Sequence, residues 1–258
     1  MNAPLTLTQY VSQLQTIPSG RFIMGRTYMI EDDQRFTDEV PAHPVDISQF
    51  KMGATPVTVG MWREYVLSDK CLSMPDSPPW NWIDNHPMVN VSWDEIMGVD
   101  GKGGFCAWAS AVAGLQLTLP TEAQFEYAAK GGHDDKYPWG NDYDTTKLWS
   151  ESLDNTYLLG TGPVDRTNRI DRNIYGLTDM IGNVWQWCAD IYCPYEASSE
   201  VNPTGPSSIS DDFDFRCVRG GSWDYLGVPS YFRCALRSRC YPDFSRHDTG
   251  FRLSTVSK

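Results

Sequence analysis

Cysteine is the residue type in this chain that is best suited to redox or metal chemistry. The sequence has seven cysteines: Cys71, Cys106, Cys188, Cys193, Cys217, Cys234 and Cys240. Cys188 and Cys193 are close in sequence, but no second pair repeats their spacing, so a closed zinc site is not predicted. An odd number of cysteines cannot pair completely within one chain. Because no secretory signal is recognisable at the N-terminus, free thiols in the cytoplasm are the default expectation.

Arginine is unevenly distributed and is the second candidate for chemistry. Seven of the 14 arginines lie between Arg216 and the C-terminus. One interpretation is a set of buried, structural arginine–carboxylate pairs, and the other is a local anion-binding site. The sequence favours the first interpretation and leaves the second open.

The overall composition excludes several classes of protein. A net charge of −12 argues against nucleic-acid binding, which depends on a concentrated basic surface. No apolar stretch is long enough to cross a membrane, so membrane insertion is not expected. Ten tryptophans, 21 glycines and 17 prolines predict many short elements that are joined by turns and packed with large rings.

Four segments carry helix signals that would position these side chains. The first is Leu5 to Leu14, and the second begins after Thr58, where Met61, Trp62, Tyr65 and Val66 share one face. Ser92 and Glu95 form a capping-box pattern before a helix that several glycines must interrupt. Thr121 precedes a helix that Gly131 and Gly132 should end.

Strand and loop signals fill the intervening sequence. The run from Phe22 to Gly25 and the alternation of Val45 and Ile47 predict strands, whereas the acidic segment 31–39 predicts a loop. Gly182 and Asn183 suit a tight turn that places Trp185 and Trp187. No linker divides the chain, and we therefore expect one domain.

Nine strings occur in a fixed order along almost the whole sequence. They are FIMG (22–25), DEVPAHPV (38–45), PVTVGMW (56–62), PMVNVSWDE (87–95), LPTEAQFEYAAKGG (119–132), YPWGN (137–141), YGLTDMIGNVWQW (175–187), VRGGSW (218–223) and GFRL (250–253). Together they resemble the family of formylglycine-generating enzymes and sulfatase-modifying factors. The resemblance implies a single domain over residues 1–258 with an irregular, loop-rich α+β fold of the C-type-lectin-like kind.

The resemblance also identifies where catalytic chemistry would lie. Catalytic members carry two cysteines soon after RGGSW, and their thiolates hold the copper that activates oxygen. Counting from Trp223 places Tyr225 and Ser230 at these positions, and counting back from Cys234 places Pro229 at the second. None is a cysteine, so copper is not expected and the enzyme reading is disfavoured without being excluded.

Two further features of the family are incomplete here. Cys106 and Cys234 match positions that form disulfides in secreted members, but their partner positions hold Leu253 and Ala129. Another branch uses iron that is held by histidines of an added helical domain. The four histidines of this chain, His43, His86, His133 and His247, lack the histidine and carboxylate spacing of such a site.

The resemblance also implies one possible structural calcium site. By position, Asp179 and Gln186 would supply side-chain oxygens, and Gly182 and Val184 would supply backbone carbonyls. Gln186 stands where the family usually has Glu, which removes one negative charge. A turn that is merely hydrogen-bonded is the alternative.

The segment from Asp224 to Arg252 has an unusual composition. It contains no Lys, Glu, Gln, Met or Trp, although the whole chain holds 43 of these residues. Lectin-fold relatives of the family serve as variable proteins of diversity-generating retroelements, in which randomised Asn codons cannot reach these five amino acids. Ordinary family members with compact turns in this segment are the alternative explanation.

These observations predict a variable ligand-binding region at 218–253. The side chains expected on one exposed, aromatic and adaptable surface are Asp224, Tyr225, Leu226, Ser230, Tyr231, Phe232, Leu236, Ser238, Cys240, Tyr241, Phe244, Ser245, His247 and Asp248. Trp223 and the spaced arginines would hold the backbone while these positions change.

The leading hypothesis is a non-catalytic ligand-binding protein, the diversified receptor of a retroelement, whose partner is a protein or another macromolecule. The alternative is an oxygen-dependent oxidoreductase of the same family that acts through a non-standard site. A structural or regulatory partner domain is a third reading that the sequence leaves open.

Overall fold

The computed structural model describes residues 4–29, 33–99, 103–150, 160–166, 171–208, 214–225 and 228–256. Within these ranges the chain forms five α-helices: α1 (Leu7–Ser12), α2 (Val59–Ser68), α3 (Trp93–Met97), α4 (Phe105–Ala113) and α5 (Glu122–Lys130). Its strands are β1 (Gln15–Ile17), β2 (Gly20–Met24), β3 (His43–Ile47), β4 (Phe50–Met52), β5 (Leu117–Thr118), β6 (Trp185–Ile191), β7 (Glu200–Val201), β8 (Arg216–Arg219), β9 (Arg237–Cys240), β10 (Thr249–Gly250) and β11 (Ser254–Thr255). No helix in these ranges has both the length and the apolar character that a membrane span requires.

Side-chain caps explain where the helices begin. Thr58 accepts a hydrogen bond from the backbone N–H of Met61 at the start of α2. Ser92 and Thr121 cap α3 and α5 in the same way, and the residue three positions later completes a capping box in both helices. These predicted starts are confirmed, and Gly131 ends α5 in the left-handed region as expected.

The glycine-rich sequence after Ser92 forms two helices, α3 and α4, that pack against each other. Gly98 ends α3 with a φ of 85°, and Gly104 caps α4. A Cβ at Gly104 would lie only 2.5 Å from the backbone nitrogen of Gly98. The glycines therefore permit a close approach of two backbone segments rather than a kink in one helix.

Three small sheets form the framework. The first has the antiparallel order β1-β4-β11-β5, and the third has the order β2-β3-β7. The middle sheet has the order β10-β6-β8-β9, in which β10 runs parallel to β6 and the other pairs are antiparallel. The predicted strands around Phe22 and Val45 are confirmed as β2 and β3.

Aromatic rings form one connected part of the core. Trp62 stacks on Phe105 with ring centroids 5.2 Å apart, and Phe251 meets Phe105 edge-on at the same distance. Trp187 on β6 is fully buried and donates its indole N–H to the carbonyl of Val91. These contacts fix the middle sheet, from which the C-terminal segment begins.

One predicted loop is partly helical. Residues Asp33–Glu39 form 3-10 turns with a kink at Phe36, whereas the acidic composition predicted a loop for 31–39. Phe36 is buried, and Arg26 donates from Nε to Glu39 at 3.0 Å. Packing and an ion pair thus order a segment whose composition favours solvent exposure.

Candidate ligand-binding surface

The segment 218–253 begins on β8 and leaves it at a glycine pair. Gly220 and Gly221 have φ values of 96° and 71°. A Cβ at Gly220 would lie 2.9 Å from the carbonyl oxygen of Met180, and one at Gly221 would lie 2.5 Å from that of Tyr231. Both the left-handed backbone and the lack of space require glycine at this turn.

Four arginines of this segment are buried and bind groups elsewhere in the chain. Arg219 pairs with Glu126 of α5 and donates to the carbonyls of Cys234 and Ala235. Arg233 pairs through both Nη atoms with Glu39. Each side chain ties one part of the segment to a fixed element of the fold.

Arg237 and Arg252 complete this set. Arg237 donates from Nε and Nη2 to the two carboxylate oxygens of Glu122 at 2.8 and 2.7 Å. Arg252 donates to Gln186 Oε1 and to the carbonyls of Gly53, Thr178 and Asp179. The structural interpretation of the C-terminal arginines is therefore correct for these four residues.

The electrostatics of Glu122 follow from these partners. Burial alone would raise the pKa of its carboxyl, but the positive charges of Arg237 and Arg219 outweigh burial and hold the pKa below its usual value. The carboxylate therefore stays ionised at neutral pH and anchors β9 to the start of α5.

Most described members of the predicted ligand-binding set reach the surface. Tyr241 and Phe244 are 42% and 53% exposed, and Asp224 and Ser245 are also exposed. The half-buried members are Tyr225, Ser230, Tyr231, Ser238, Cys240 and His247. Leu226 lies outside the described residues.

Three members of the set are buried, and their expected exposure is wrong. Phe232 is fully buried in a cluster with Tyr137 and Ile181, and Leu236 belongs to the main core. Asp248 is buried because it accepts hydrogen bonds from Ser222, Arg246 and Thr249. These side chains support the surface from below and do not form part of it.

The surface residues gather into two aromatic groups. Tyr225 stacks on Tyr231 with centroids 4.6 Å apart, and Tyr231 accepts a hydrogen bond from Arg35. In the second group, Tyr241 lies 4.3 Å from Phe215 between ring centroids, and Arg239 lies over the Phe215 ring. Rings with polar edges at the surface offer broad contact together with hydrogen bonding.

Sequence reasoning missed the residues that other segments contribute to this surface. Trp80 packs edge-on against Trp223 at 5.3 Å and lies near His247, whose imidazole is 3.8 Å from the Asp224 carboxylate. Arg35 and Phe215 also lie outside the predicted region. Their contacts join residues remote in sequence, and no local pattern signals them.

Residues 4–256 match the family of sulfatase-modifying factor enzyme 1-like domains. The chain belongs to this family. The formylglycine-generating enzyme of Mus musculus is 30% identical, over 97% of this chain and 76% of the mouse protein. The inactive C-alpha-formylglycine-generating enzyme 2 of Mus musculus is 26% identical, over 93% of this chain and 84% of that protein.

A solved structure shares the fold. Treponema denticola variable protein 1 superposes with a TM-score of 0.72 at 24% identity, over 94% of each chain. The mixed, loop-rich architecture predicted from the sequence motifs, the C-type-lectin-like fold of the sulfatase-modifying-factor family, is confirmed.

At the copper positions of the family, this member has no thiol. Tyr225 is a stacked phenol, and Ser230 lies in a 3-10 turn at Pro229–Tyr231. Burial raises the pKa of the Cys106 and Cys234 thiols to about 12, and it raises those of Cys188 and Cys217 well above the usual value. These four thiols are therefore protonated at neutral pH in the chain without metal.

Two of the residues expected to hold calcium bind arginines in this structure. Gln186 Oε1 accepts from Arg252 Nε at 2.6 Å, and Asp179 Oδ1 accepts from Arg166 Nη2 at 2.7 Å. The Gly182 carbonyl accepts from the N–H of Val184 at 2.8 Å within the tight turn. Arg252 and Arg166 therefore bind one oxygen of each of these side chains, and calcium would compete with two guanidinium groups for those atoms.

Proposed function

We propose that this protein is a non-catalytic ligand-binding protein whose C-terminal segment is diversified by a retroelement and recognises another macromolecule. The observation that carries the proposal is that residues 218–253 contain two kinds of side chain, buried ones that anchor the backbone and others that reach the surface. Buried arginines bind carboxylates and carbonyls outside the segment. Most of the predicted variable side chains that the structure describes reach the surface. Such a segment tolerates substitution at its surface positions without losing its backbone conformation.

The chemistry of the surface supports recognition of a macromolecule. Tyr225, Tyr231 and Tyr241 combine a large apolar ring with a hydroxyl, and Phe244 is more than half exposed. Tyrosine contributes contact area at a low cost in side-chain entropy, as in antibody loops. Exposed rings of this kind mark interaction sites on soluble proteins.

Two similar proteins support this proposal. A protein named as a variable protein shares the fold, and a relative named as an inactive enzyme aligns over most of the chain. The composition of 224–252 fits randomised Asn codons. A cytoplasmic location and a protein partner are part of the same proposal.

A display experiment tests the proposed surface. One library randomises Tyr225, Ser230, Tyr231, Tyr241, Phe244 and Ser245. A matched library randomises six exposed positions elsewhere, Thr8, Gln9, Leu67, Ala107, Ala111 and Val112. Selection on a panel of proteins should yield binders from the first library and few from the second; equal yields would contradict the proposed surface.

The origin of the diversity has its own test in the neighbouring DNA. A reverse transcriptase gene beside a near-copy of the last coding segment, differing only at adenines, is the expected finding. An intact neighbourhood without either would remove the retroelement and leave a fixed binding protein.

The relationship to formylglycine-generating enzymes favours one competing function, an oxygen-dependent oxidoreductase that uses a non-standard site. Incubation with copper(I), oxygen and a sulfatase-motif peptide separates the two. Conversion of the peptide cysteine to formylglycine would end the binding-only proposal.

A further inference from the structure

A cleft on another part of the molecule is not explained by the proposed surface. It encloses about 720 Å³ between the end of β6, the start of α5 and the loop after β7. None of the predicted ligand-binding residues lines it. The cleft is therefore separate from the proposed ligand-binding surface.

Two carboxyl groups form part of the cleft lining. Asp190 of β6 is 5% exposed and accepts a hydrogen bond through Oδ2 from the backbone N–H of Glu122 at 2.8 Å. Its Oδ1 lies near Gly205, which also lines the cleft. Glu122 is held by Arg237 and by the hydroxyl of Tyr195 at 3.3 Å. The cleft thus contains acidic groups in fixed positions.

A buried histidine presents an unsatisfied acceptor to the same cleft. His43 is 3% exposed and lines the cleft. Its Nδ1 lies 3.1 Å from the carbonyl oxygen of Pro41, so in the neutral ring Nδ1 carries the hydrogen and Nε2 is the acceptor. Among the described residues, no group donates a hydrogen bond to Nε2. His43 Nε2 can therefore accept a hydrogen bond from water or from a ligand in the cleft.

The remaining lining sets the charge and shape of a ligand. Glu196 and Glu200 add two carboxylates, and no lysine or arginine is among the described lining residues. Pro194, Pro203 and Pro206 provide rigid apolar walls. The positive end of α5 does not favour an anion here, because Asp190 and the Thr121 cap already accept from its first N–H groups.

The cleft is suited to binding and not to thiol chemistry. Cys193 lines it, but burial raises the pKa of this thiol above its usual value. The thiol is therefore a weak nucleophile at neutral pH.

We propose that this cleft binds a small organic cation, an alkylammonium group with a short apolar chain. The ammonium donates to His43 Nε2 and Asp190, the rim carboxylates attract it, and the prolines contact its chain. His43 Nε2 and the ionised carboxylates of the lining are acceptors, which matches an ammonium with three donors and no acceptor.

The ionisation of Asp190 makes this binding depend on pH. Burial, and next the negative charge of Glu122, raise the pKa of Asp190 to about 8. Other groups near Asp190 are Arg237 of β9, Arg216 and Cys217 of β8, and Cys188 on its own strand. Since a cation favours the ionised carboxyl, affinity should rise between pH 7 and pH 9, where an alkylammonium is still largely charged.

Titration with n-butylamine, followed by ¹H–¹⁵N correlation spectra of the full chain, tests the proposal. Amide shifts should concentrate at the cleft, and binding should tighten from pH 7 to pH 9. Butan-1-ol and butyrate are the neutral and anionic controls and should not shift these amides. Asp190→Asn, which keeps an acceptor for the Glu122 N–H, should weaken binding about tenfold at pH 9 and remove its pH dependence.

A second variant keeps the proposal testable if Asp190→Asn does not fold. Glu196→Gln with Glu200→Gln changes two rim side chains and should weaken binding about threefold. The matched control, Asp76→Asn with Asp142→Asn, removes two exposed charges outside the cleft and should leave affinity unchanged. Absence of cleft shifts at pH 9, equal binding of butyrate, or equal losses in both double variants would overturn the proposal.

Discussion

Arg237 and Glu122 form a buried ion pair between residues that are 115 positions apart in sequence. Nε and Nη2 of the arginine bind the two carboxylate oxygens, and the side chains are 0% and 6% exposed. Arg237 also donates to the carbonyls of Asp38 and Cys193. A single guanidinium therefore fixes β9, a strand within the predicted variable region, against three other parts of the fold.

Replacing Arg237 by Lys tests this anchoring role. Lysine cannot reproduce the two parallel hydrogen bonds, and an imperfectly paired Glu122 carboxylate would stay buried. We expect a loss of about 3–5 kcal/mol in the free energy of unfolding, measured by urea denaturation. The matched variant is Arg239→Lys on the same strand; because Arg239 is exposed, it should lose less than about 1 kcal/mol. Similar losses in the two variants would show that the pair is not an anchor.

Surface and support positions within 218–253 should respond differently to substitution. Tyr241→Ser and Phe244→Ser change exposed rings, so each should alter the free energy of unfolding by about 0.5–1 kcal/mol or less. Phe232→Ala removes a fully buried ring and should cost about 3–5 kcal/mol. Urea denaturation of the three variants checks this order. A large loss at Phe244 would argue that the ring has a structural function.

Calcium should not stabilise this protein. Arg252 binds Gln186 Oε1 and Arg166 binds Asp179 Oδ1, so a cation would meet two positive charges. Adding millimolar calcium chloride should leave the Tm unchanged in a thermal melt, with magnesium chloride as the control for ionic strength. A Tm that rises with calcium concentration alone would require a bound ion and contradict this reading.

Local signals predicted the helix starts and several strands because a cap or a glycine turn involves residues close in sequence. Thr58, Ser92 and Thr121 each cap the helix that follows them. The ordered motifs predicted the fold because they cover nearly the whole chain. The strings around RGGSW also indicated where the surface segment would lie.

Burial within that segment could not be predicted in the same way. Phe232 and Tyr231 are adjacent aromatic residues, but one packs against Tyr137 and the other stacks on Tyr225 at the surface. Asp248 has a charged side chain, which favours exposure to solvent. It is buried because Ser222 and Arg246 donate hydrogen bonds to it. Contacts between segments that are distant in sequence decide whether these side chains are buried. For the same reason, the sequence does not predict the cleft between His43 and Asp190.

The buried carboxyl of Asp190 should make stability depend on pH. Its pKa is raised to about 8 in the folded protein, compared with about 3.9 in an unfolded chain. Between these two values the folded state binds the proton and the unfolded state does not, so the contribution of this group to stability is present at low pH and is lost as pH rises towards 8. The free energy of unfolding should therefore fall less steeply from pH 5 to pH 9 in Asp190→Asn than in the unmodified chain. Glu122, with a lowered pKa, is largely ionised in the folded and unfolded chains across this range, so it adds little slope in either protein. Parallel pH profiles would mean that this carboxyl is ionised in the folded state at neutral pH.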